Sequence, residues 1–207
     1  MGQYFKVNPE NPQQRLVLPA VEILKDGGII AYPTDSGYAF GCQIGNKEAL
    51  GRICRLRQLD EKHNFTIICQ DLAQVGVYAH FDTPAFRLIK ANTPGAYTFI
   101  LKATKEVPRR LMHPKRKTIG IRVPDNAIAQ ALLKELQEPM MTTTLILPGE
   151  ESPLTDPVEI RNRLEKKVEL VIDGGYGGLR PTTLINFVDG EPNILRHGKG
   201  DIAPFEA

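Results

Sequence analysis

The sequence YPTDSGYAFG, residues 32–41, follows the apolar run GIIA at residues 28–31, and together they indicate a short buried strand with a polar end. Pro33 has no backbone N–H to donate to a sheet, so the strand is expected to stop there or to lie at a sheet edge. Thr34, Asp35 and Ser36 then lie at a strand end, where α/β proteins usually bind ligands. A polar turn between two hairpin strands explains the same residues equally well.

Two common site motifs are absent from the sequence. No Gly-x-x-x-x-Gly-Lys-Ser/Thr occurs, which excludes a phosphate-binding P-loop. Ser36 has no glycine two residues before it, so the stretch is not the nucleophile elbow of an α/β-hydrolase. A ligand at this strand end must therefore be held by other groups.

Length and composition are those of an ordinary globular protein. The 207 residues carry a formal net charge of +2 and suit one hydrophobic core better than two small domains. Cys42, Cys54 and Cys69 each lie in an apolar run, which predicts buried reduced thiols without disulfides or a Cys-x-x-Cys metal site. The four histidines are isolated from one another, so we predict no metal site.

The chain carries no membrane signal. Its N-terminal residues lack the apolar core of a signal peptide, and no apolar run reaches the roughly 18 residues of a membrane span. We therefore expect a cytoplasmic protein with no membrane partner and no redox cofactor.

Strand-like and helix-like segments alternate along the chain, which predicts an α/β fold with one mixed, twisted sheet. Helices are predicted over residues 17–24 (begun or kinked by Pro19), from an Asn46 cap through Leu56, from Thr83-Pro84 to about residue 92, at about 128–136, and from Asp156-Pro157 to 166. Strands are predicted at residues 65–69, 97–101, 118–123, 140–147, 168–172, 183–187 and 193–195. The glycine-rich residues 174–178 are interpreted as a mobile surface loop.

Positive charge is concentrated between Lys102 and Arg122, where eight basic residues are opposed only by Glu106. A solvated loop is the ordinary explanation of such a run. Arg122, however, follows the apolar residues 119–121, and a guanidinium at the end of a buried strand suits bidentate binding of an anion. Arg57 ends a predicted helix and Arg196 follows the last strand. Three arginines at element ends suit a polyphosphate or a nucleic acid, although spacing alone cannot bring them together.

Several spread-out motifs make the chain resemble the YrdC/YciO family over nearly its whole length, and its YciO branch most. The matching segments are PTDSGYAFG (33–41), PGAYTFIL (94–101), GIRVP (120–124), DGG (173–175), PTT (181–183) and RHG (196–198). The first three resemble the family's Pro-Thr-Asp-Thr-Val-Tyr-Gly-Leu-Gly, Pro-Gly-Pro-x-Thr and Gly-x-Arg-x-Pro motifs. Their order and spacing also agree with the family.

This resemblance implies a fold and an activity. The expected fold is a single YrdC-like domain over residues 1–207, an open twisted mixed β-sheet flanked by helices, with a basic concave face. Synthases of the family make threonylcarbamoyl-AMP from threonine, bicarbonate and ATP, which serves the N6-threonylcarbamoyl modification of tRNA adenosine. ATP is thus the expected substrate, with Mg²⁺ as the expected metal if the protein is active.

Site residues follow from the resemblance position by position. The residues expected to bind substrate or nucleotide are Thr34, Tyr38, Thr98 and Arg196. Those expected to be catalytic are Arg57, Thr144 and Arg122. Thr34 falls at a threonine-contacting position, whereas Arg122 and Arg196 fall at positions that contact phosphate or carboxylate.

The chain also departs from the synthase pattern. The Lys-x-Arg pair of the synthases reads Arg57-Gln58-Leu59 here, and their Ser-x-Asn reads Thr144-Leu145-Ile146. One charged and one neutral hydrogen bond are thereby lost, about 2–4.5 kcal/mol together, which corresponds to roughly 30- to 1,000-fold in rate. Leu59 could instead pack on Ile146 and reshape the pocket. Arg55, Lys62 or His63 could restore the missing charge.

Three functions are consistent with these residues. The first is a nucleotide-binding and double-stranded-RNA- or tRNA-binding protein with weak or altered threonylcarbamoyl-AMP synthase activity. The second is a non-catalytic RNA-binding protein linked to translation, and the third is an enzyme acting on another nucleotide or acyl-adenylate. For RNA we expect Lys115, Arg116 and Lys117 to contact phosphates, because few aromatic residues lie among them for base stacking.

Overall fold

The computed structural model describes residues 2–60 and 63–206. Within these residues the strands are β1 (Gln3–Lys6), β2 (Ile30–Pro33), β3 (Tyr38–Gln43), β4 (Thr66–Ile68), β5 (Ala79–His80), β6 (Tyr97–Ala103), β7 (Thr118–Arg122), β8 (Met140–Thr144), β9 (Leu170–Asp173), β10 (Thr183–Asn186) and β11 (Asn193–Arg196). The helices are α1 (Gln14–Lys25), α2 (Lys47–Arg57), α3 (Leu72–Tyr78), α4 (Thr83–Ala91), α5 (Ala127–Leu136) and α6 (Pro157–Leu164), and a 3₁₀ helix spans Ala203–Phe205. The predicted α/β alternation is confirmed.

The strands form one mixed sheet in the order β1-β9-β2-β3-β8-β4-β7-β6-β10-β11, with β5 added beside β6. Parallel pairs join β1 to β9, β2 to β9, β4 to β7 and β6 to β10, and the remaining pairs are antiparallel. The terminal strands β1 and β11 do not pair with each other, so the sheet is open. The open, mixed sheet flanked by helices agrees with the prediction.

The two faces of the sheet are covered differently. One face carries the larger core, which includes Phe99 of β6 and Ile121 of β7. The second core lies beneath α1 and α5 and takes side chains from β2, β3, β4, β8 and β9, but none from β6, β7, β10 or β11. Because side chains alternate along a strand, Thr98 and Arg122 point to this second face. Polar residues therefore occupy the part of it that the second core leaves.

Helices α1 and α2 are both present where predicted, although α1 begins at Gln14, three residues before the predicted start and well before Pro19. In α1 the buried residues are Val17, Ala20, Val21 and Leu24, and Pro19 lies inside the helix. Asn46 caps α2, since its side-chain oxygen accepts a hydrogen bond from the Ala49 amide at 2.8 Å. Local spacing and capping chemistry were sufficient for these two elements.

Other boundaries were wrong by a few residues. The cap of α4 is Asp82, whose carboxylate accepts from the Ala85 amide at 2.9 Å, and Thr83 is the first helical residue. Strand β8 ends at Thr144, because the Ile146 amide turns back to the Thr144 carbonyl at 2.9 Å. Helix α6 ends at Leu164, two residues earlier than predicted.

Four elements were not predicted, namely β1, α3, β5 and the 3₁₀ helix. Strand β1 has little apolar character and is held by parallel pairing with β9, which lies far away in the sequence. Helix α3 is short but has a capping signal, since Asp71 accepts from the Gln74 amide at 2.9 Å. The pairing of β1 with β9 and of β5 with β6 gave no local sequence signal.

The cysteine prediction is confirmed in part. Cys42 and Cys69 are buried and Cys54 is half-buried, and all three are free thiols. Burial raises the pKa of Cys42 to about 12 and also raises the pKa of Cys69. These two thiols are therefore unreactive core side chains at neutral pH.

A long-range contact shows that the sheet is curved. Residues 34–37 connect β2 to β3, and Arg122 ends β7, with β3, β8 and β4 between β2 and β7. At about 4.8 Å per strand, four spacings would separate them by about 19 Å in a flat sheet. Arg122 nevertheless forms an ion pair with Asp35. The accumulated strand twist must therefore bring the two regions together.

Candidate functional site

Residues 34–37, called the motif loop below, form the tight turn of a β-hairpin. Pro33 is the last residue of β2 and pairs with Tyr38, the first residue of β3. The Thr34 amide donates to the Gly37 carbonyl at 2.9 Å and closes the turn. Gly37 has a φ of +152°, and an added Cβ would lie 2.6 Å from the Gly178 carbonyl oxygen. The predicted end of the strand at Pro33 and the hairpin alternative are both confirmed.

The Thr34 hydroxyl is engaged inside the motif loop. It donates to the Gly37 carbonyl at 2.7 Å and accepts from the Ser36 and Gly37 amides at 3.2 and 3.3 Å. These bonds use its one proton and two lone pairs. Thr34 therefore shapes the loop, and the predicted contact of its hydroxyl with substrate requires one of these bonds to open.

Asp35 connects the motif loop to the end of β7. One carboxylate oxygen accepts from Nη2 of Arg122, and the other accepts from the Asp125 amide at 2.9 Å. The Arg122 and Asp35 side chains are only 8% and 5% exposed. The same Nη2 lies 3.4 Å from the Ser36 hydroxyl. Arg122 was predicted to bind an anion, and in this structure the anion is an internal carboxylate.

Arg122 also keeps an unused donor. Its Nε is buried and has no hydrogen-bond partner among the described residues. An unpaired buried donor costs about 1–3 kcal/mol, which an incoming acceptor would recover. Nε and Nη2 form one edge of the guanidinium, the edge that binds oxyanions in a bidentate manner. The geometry is therefore suited to an oxyanion that shares Arg122 with Asp35.

Arg196 lies in the same transverse row as Arg122. Phe99 pairs with Ile121, so Thr98 stands opposite Arg122, and Leu184 pairs with both Thr98 and Arg196. Residues directly opposite each other share a face of the sheet. Tertiary structure thus brings together two of the three predicted arginines.

Threonine hydroxyls position Arg196. Its Nε donates to the Thr182 carbonyl at 3.1 Å, and Nη2 lies 3.3 Å from the Thr182 hydroxyl. That hydroxyl is 2.7 Å from the hydroxyl of Thr98, a predicted site residue. Partial burial, followed by repulsion from Arg122, lowers the pKa of Arg196. Two cations that disfavour each other's charge indicate a site for an anion.

Lys199 completes the charged groups around the motif loop. Its Nζ donates to the backbone carbonyl of Asp35. We call the combination of Arg122, Arg196, Lys199, Thr98, Thr182 and the motif loop the arginine site. Its side chains carry three positive charges and the single negative charge of Asp35.

Arg57 is used differently from the other two arginines. Its Nε donates to the Ile146 carbonyl at 3.1 Å, and Nη1 donates to the Thr143 hydroxyl. Burial lowers its pKa. Thr144 follows Thr143 in β8, so its side chain points to the opposite face and is exposed. Arg57 therefore ties the end of α2 to the end of β8, and its bonds are not made to Thr144.

The substituted positions Leu59 and Ile146 are both half-buried. Of the residues considered for replacing the lost charge, Arg55 is exposed and Lys62 lies outside the described residues. His63 is near Arg57, since burial and then the charge of Arg57 lower the pKa of His63. No hydrogen bond or ion pair described for His63 or Arg55 replaces a missing synthase group.

Tyr38 fixes the glycine-rich residues 174–178. Its buried hydroxyl donates to the Gly175 carbonyl at 2.8 Å and accepts from the Gly174 amide at 3.2 Å. Burial raises its pKa far above the usual range. The predicted mobile surface loop is thus hydrogen-bonded to the start of β3. The contact of Tyr38 with substrate stays a prediction, and through the hydroxyl it requires one of these backbone hydrogen bonds to open.

A second cationic region precedes β7. We call residues 102–117 the basic segment, and its exposed cations are Lys102, Lys105, Arg109, Arg110, Lys115, Arg116 and Lys117. The Lys115 and Arg116 amides donate to Nδ1 of His113 at 3.2 and 3.1 Å, which shapes the turn. Lys117 has a φ of +56° in that turn. The segment ends at the start of β7, whereas Arg122 is at the opposite end of the strand.

Sequence reasoning missed four contributors to the arginine site. Thr182 was in a matching family segment, but its contacts with Thr98 and Arg196 were not foreseen. Asp35 and Ser36 were placed at the correct strand end, but their contacts with Arg122 were not foreseen. Lys199 gave no signal, because a lysine three residues after a strand is ordinary. In the described part of the chain, no group of three or more His, Cys, Asp or Glu side chains is arranged to hold a metal ion. None of the described helices has the length and apolarity needed to cross a membrane.

The fold and site define an α/β protein with a cluster of cationic side chains on one face of an open mixed sheet. A comparison with family profiles matches residues 22–198 to the Sua5/YciO/YrdC family, which bears the description "Telomere recombination". The match covers most of the chain, and the chain therefore belongs to the Sua5/YciO/YrdC family. The predicted resemblance is confirmed.

Similar proteins give the same assignment. The chain is 60% identical over 205 residues to the uncharacterized protein YciO of Escherichia coli K12, covering 99% of this chain and all of that protein. A threonylcarbamoyl-AMP synthase of Coxiella burnetii RSA 493 is 30% identical over 179 residues, 86% of this chain and 94% of the synthase. The YciO branch is thus the nearer relative of the two.

Solved structures support the fold. The crystal structure of E. coli YciO superposes with a TM-score of 0.95 at 59% identity and full coverage of both chains. P. abyssi Sua5 complexed with L-threonine gives a TM-score of 0.86 at 24% identity, covering 94% of this chain and 57% of that one. The second similarity shows a shared fold only.

Proposed function

We propose that this protein binds a nucleoside triphosphate at the arginine site and has weak or altered threonylcarbamoyl-AMP synthase activity. The supporting observation is that Arg122, Arg196 and Lys199 belong to one site with a single carboxylate, Asp35, which binds Arg122, and that the Nε donor of Arg122 is unused. Such a site has an excess of positive charge and at least one donor awaiting an acceptor. A chain of phosphates supplies several negative oxygens within a short distance.

The reaction suits a site with few acids and bases. The threonine amine combines with bicarbonate to form a carbamate and release water. A carbamate oxygen then attacks the α-phosphorus of ATP, and the bond to pyrophosphate breaks. The protein must align these groups and neutralise the charge that develops. Arg122 and Arg196 are suited to the second task. The 30% identity to a threonylcarbamoyl-AMP synthase supports this class of reaction.

Mg²⁺ would have to be held mainly by the nucleotide. Asp35 is the one carboxylate of the arginine site, and both its oxygens already accept hydrogen bonds. A magnesium ion commonly keeps its waters and binds phosphate oxygens with one or two protein carboxylates. The metal would add charge neutralisation of the phosphates to that provided by the arginines.

Weak activity is proposed because of Leu59 and Ile146. The loss of one charged and one neutral hydrogen bond predicts a rate roughly 30- to 1,000-fold below that of a synthase. In this structure the Ile146 position contributes its backbone carbonyl to Arg57 and no polar side chain. Nucleotide binding can therefore be retained even where the rate of the reaction is low, and the two are tested separately.

Titration calorimetry with ATP and Mg²⁺ tests the binding proposal. Arg196→Met is the informative variant, because Arg196 is exposed and its loss leaves no buried carboxylate unpaired. We expect ATP affinity to fall at least about tenfold, the effect of one charge-assisted hydrogen bond. Arg15→Met, at an exposed arginine of α1, is the matched control and should bind as wild type. Absence of heat with wild type at millimolar ATP would refute the proposal.

Pyrophosphate release tests the chemistry independently. The rate is measured with ATP in the presence and absence of threonine and bicarbonate. We expect slow release that requires both co-substrates. ATP binding without any dependence on threonine would leave the nucleotide site intact and favour an enzyme acting on another nucleotide or acyl-adenylate.

RNA binding at the basic segment is a second candidate function, and we propose it from one observation. All seven cations of the segment are exposed, with Glu106 as the opposing charge. Replacement of Lys115, Arg116 and Lys117 by alanine should weaken binding to double-stranded RNA or tRNA and reduce the salt slope by about 1 for each lost phosphate contact. Alanine at Lys134, Lys166 and Lys167, which are also exposed, is the charge-matched control. Equal RNA binding by both triple variants would make the segment an ordinary solvated loop.

A further inference from the structure

The segment that follows β11 is firmly attached to the neighbouring strand. The Lys199 amide donates to the Pro181 carbonyl at 2.8 Å, and the Gly198 amide donates to the Thr183 hydroxyl at 3.1 Å. The same hydroxyl donates to the Gly200 carbonyl at 2.6 Å. Backbone contacts on both sides of Lys199 therefore determine where its side chain starts.

Two glycines allow this close attachment. A Cβ on Gly198 would lie 2.3 Å from the carbonyl carbon of Thr182 and 2.4 Å from the Pro181 carbonyl oxygen. A Cβ on Gly200 would lie 2.4 Å from the Tyr97 ring. No side chain fits at either position, so the sequence on each side of Lys199 is adapted to this packing.

The Lys199 side chain crosses from this segment to the motif loop. Its ammonium donates to the carbonyl of Asp35, which is a neutral acceptor. Among the ion pairs of the described residues, none involves Lys199. Lys199 thus contacts the backbone of the same residue whose carboxylate binds Arg122, and its own charge takes no part in that ion pair.

Lys199 and Arg122 differ in their exposure to solvent. Arg122 is buried, with only 7% of its surface exposed, whereas Lys199 is exposed. An oxyanion on Arg122 would therefore lie at the inner end of the site, with Lys199 at the outer end. A single phosphate bound there would reach Arg122 alone, and a longer chain of phosphates would extend outward toward the ammonium.

We propose that Lys199 is a specificity-determining residue that makes the arginine site select a polyphosphate over a monophosphate. This inference rests on the proposed nucleotide binding and adds the residue responsible for the preference. When the outer phosphates arrive, the ammonium exchanges the Asp35 carbonyl for a charged oxygen. The gain is that of a neutral acceptor replaced by a charged one.

The test compares ATP with AMP on the intact protein by titration calorimetry. We expect Lys199→Met to lower ATP affinity about tenfold and AMP affinity less than about twofold. Lys199→Arg keeps the charge and should keep most of the preference. Lys166→Met, at an exposed lysine outside the site, should change neither affinity. Inorganic tripolyphosphate and phosphate should reproduce the contrast without the nucleoside.

The outcomes separate this inference from the proposed function. If wild type binds ATP and Lys199→Met keeps the same ratio of ATP to AMP affinity, the role of Lys199 is wrong and nucleotide binding stands. If Lys199→Met weakens both ligands equally, the residue supports the site but does not select. If wild type binds neither ligand, nucleotide binding itself is refuted. Melting temperatures within about 2 °C of wild type show that folding is unaffected.

Discussion

The arginine site and the basic segment are both cationic, but their charges are held in opposite ways. Arg122 is buried against Asp35, and its position is set by the end of β7, the motif loop and Asp125. The cations of the basic segment are exposed side chains on a connection between β6 and β7. The arginine site has few charges in a defined geometry. The basic segment has many charges without a defined geometry.

This difference has a physical consequence for recognition. A buried cation loses its hydration, so it needs partners at fixed places and can discriminate between ligands by shape. Exposed cations keep their hydration and act through their summed field, which tolerates many arrangements of phosphates. The arginine site is therefore suited to one small anion, and the basic segment to an extended polyanion.

The largest expected effect is the loss of stability when the buried ion pair is broken. Arg122→Met leaves Asp35 charged and nearly buried, which should lower the free energy of unfolding by about 3–5 kcal/mol. For a protein of this size the melting temperature should fall by roughly 6–20 °C. Thermal unfolding followed by circular dichroism measures the change.

Two further variants show whether burial is the cause. The double variant Asp35→Asn/Arg122→Met removes both charges and should recover at least half of the lost stability. Lys115→Met, in the basic segment, should shift the melting temperature by less than about 2 °C. If Arg122→Met shifts the melting temperature no more than Lys115→Met does, the buried ion pair of the arginine site does not distinguish its stability from that of the basic segment.

A smaller effect is expected in the response to salt. If Lys115, Arg116 and Lys117 each contact one phosphate, RNA affinity should fall by at least about 40-fold between 50 and 200 mM salt. ATP affinity at the arginine site should fall less than about tenfold, because its cation Arg122 is buried and a buried charge is screened less than an exposed one. Filter binding for RNA and calorimetry for ATP provide the two slopes. Equal slopes would show that the arginine site is also a diffuse electrostatic surface.

The smallest effect concerns His63, which is half-buried beside Arg57. Burial, and then the charge of Arg57, lower its pKa below the ordinary value of 6.5. The unfolded chain therefore takes up a proton near pH 6.5 while the folded protein does not, so stability falls as the pH drops from 7 to 5. Above pH 7 both states are neutral at this residue and the contribution disappears.

Comparison of wild type with His63→Gln isolates this residue. Between pH 7 and pH 5, the melting temperature should fall by less in the variant than in wild type. Only the difference in pH dependence is interpreted, because the variant also loses the ring contact between His63 and Phe65. Parallel pH profiles for the two proteins would contradict the assigned pKa shift.

Local chemistry made much of the fold predictable. The helical spacing of the buried residues of α1 and the cap at Asn46 were visible directly in the sequence. The cap of α4 was misplaced by one residue, since Asp82 and Thr83 are both good caps and only the backbone conformation distinguishes them. Strand β1 was not predicted, because its pairing partner, β9, is distant in the sequence.

The site was predictable in its residue types but less so in its contacts. Arg122, Arg196 and Thr98 were expected at the site, and strand register places them in one row. Thr34 and Tyr38 were also expected there, yet their hydroxyls are occupied by the Gly37 carbonyl and by Gly175. A sequence motif indicates which side chains are near a site, and it does not indicate which of them are already hydrogen-bonded within the protein.

The sequence by itself determined the family, the α/β alternation and the end of the first motif strand at Pro33, because these depend on residue order, local spacing and the missing proline donor. Only the tertiary structure decided that Asp35, Arg122, Arg196 and Lys199 meet. They belong to three segments, at Asp35, at Arg122 and at 196–199, which are far apart in the chain, and the curvature of the sheet brings these segments together. Curvature accumulates over many strand pairs, so no single segment of the sequence contains it.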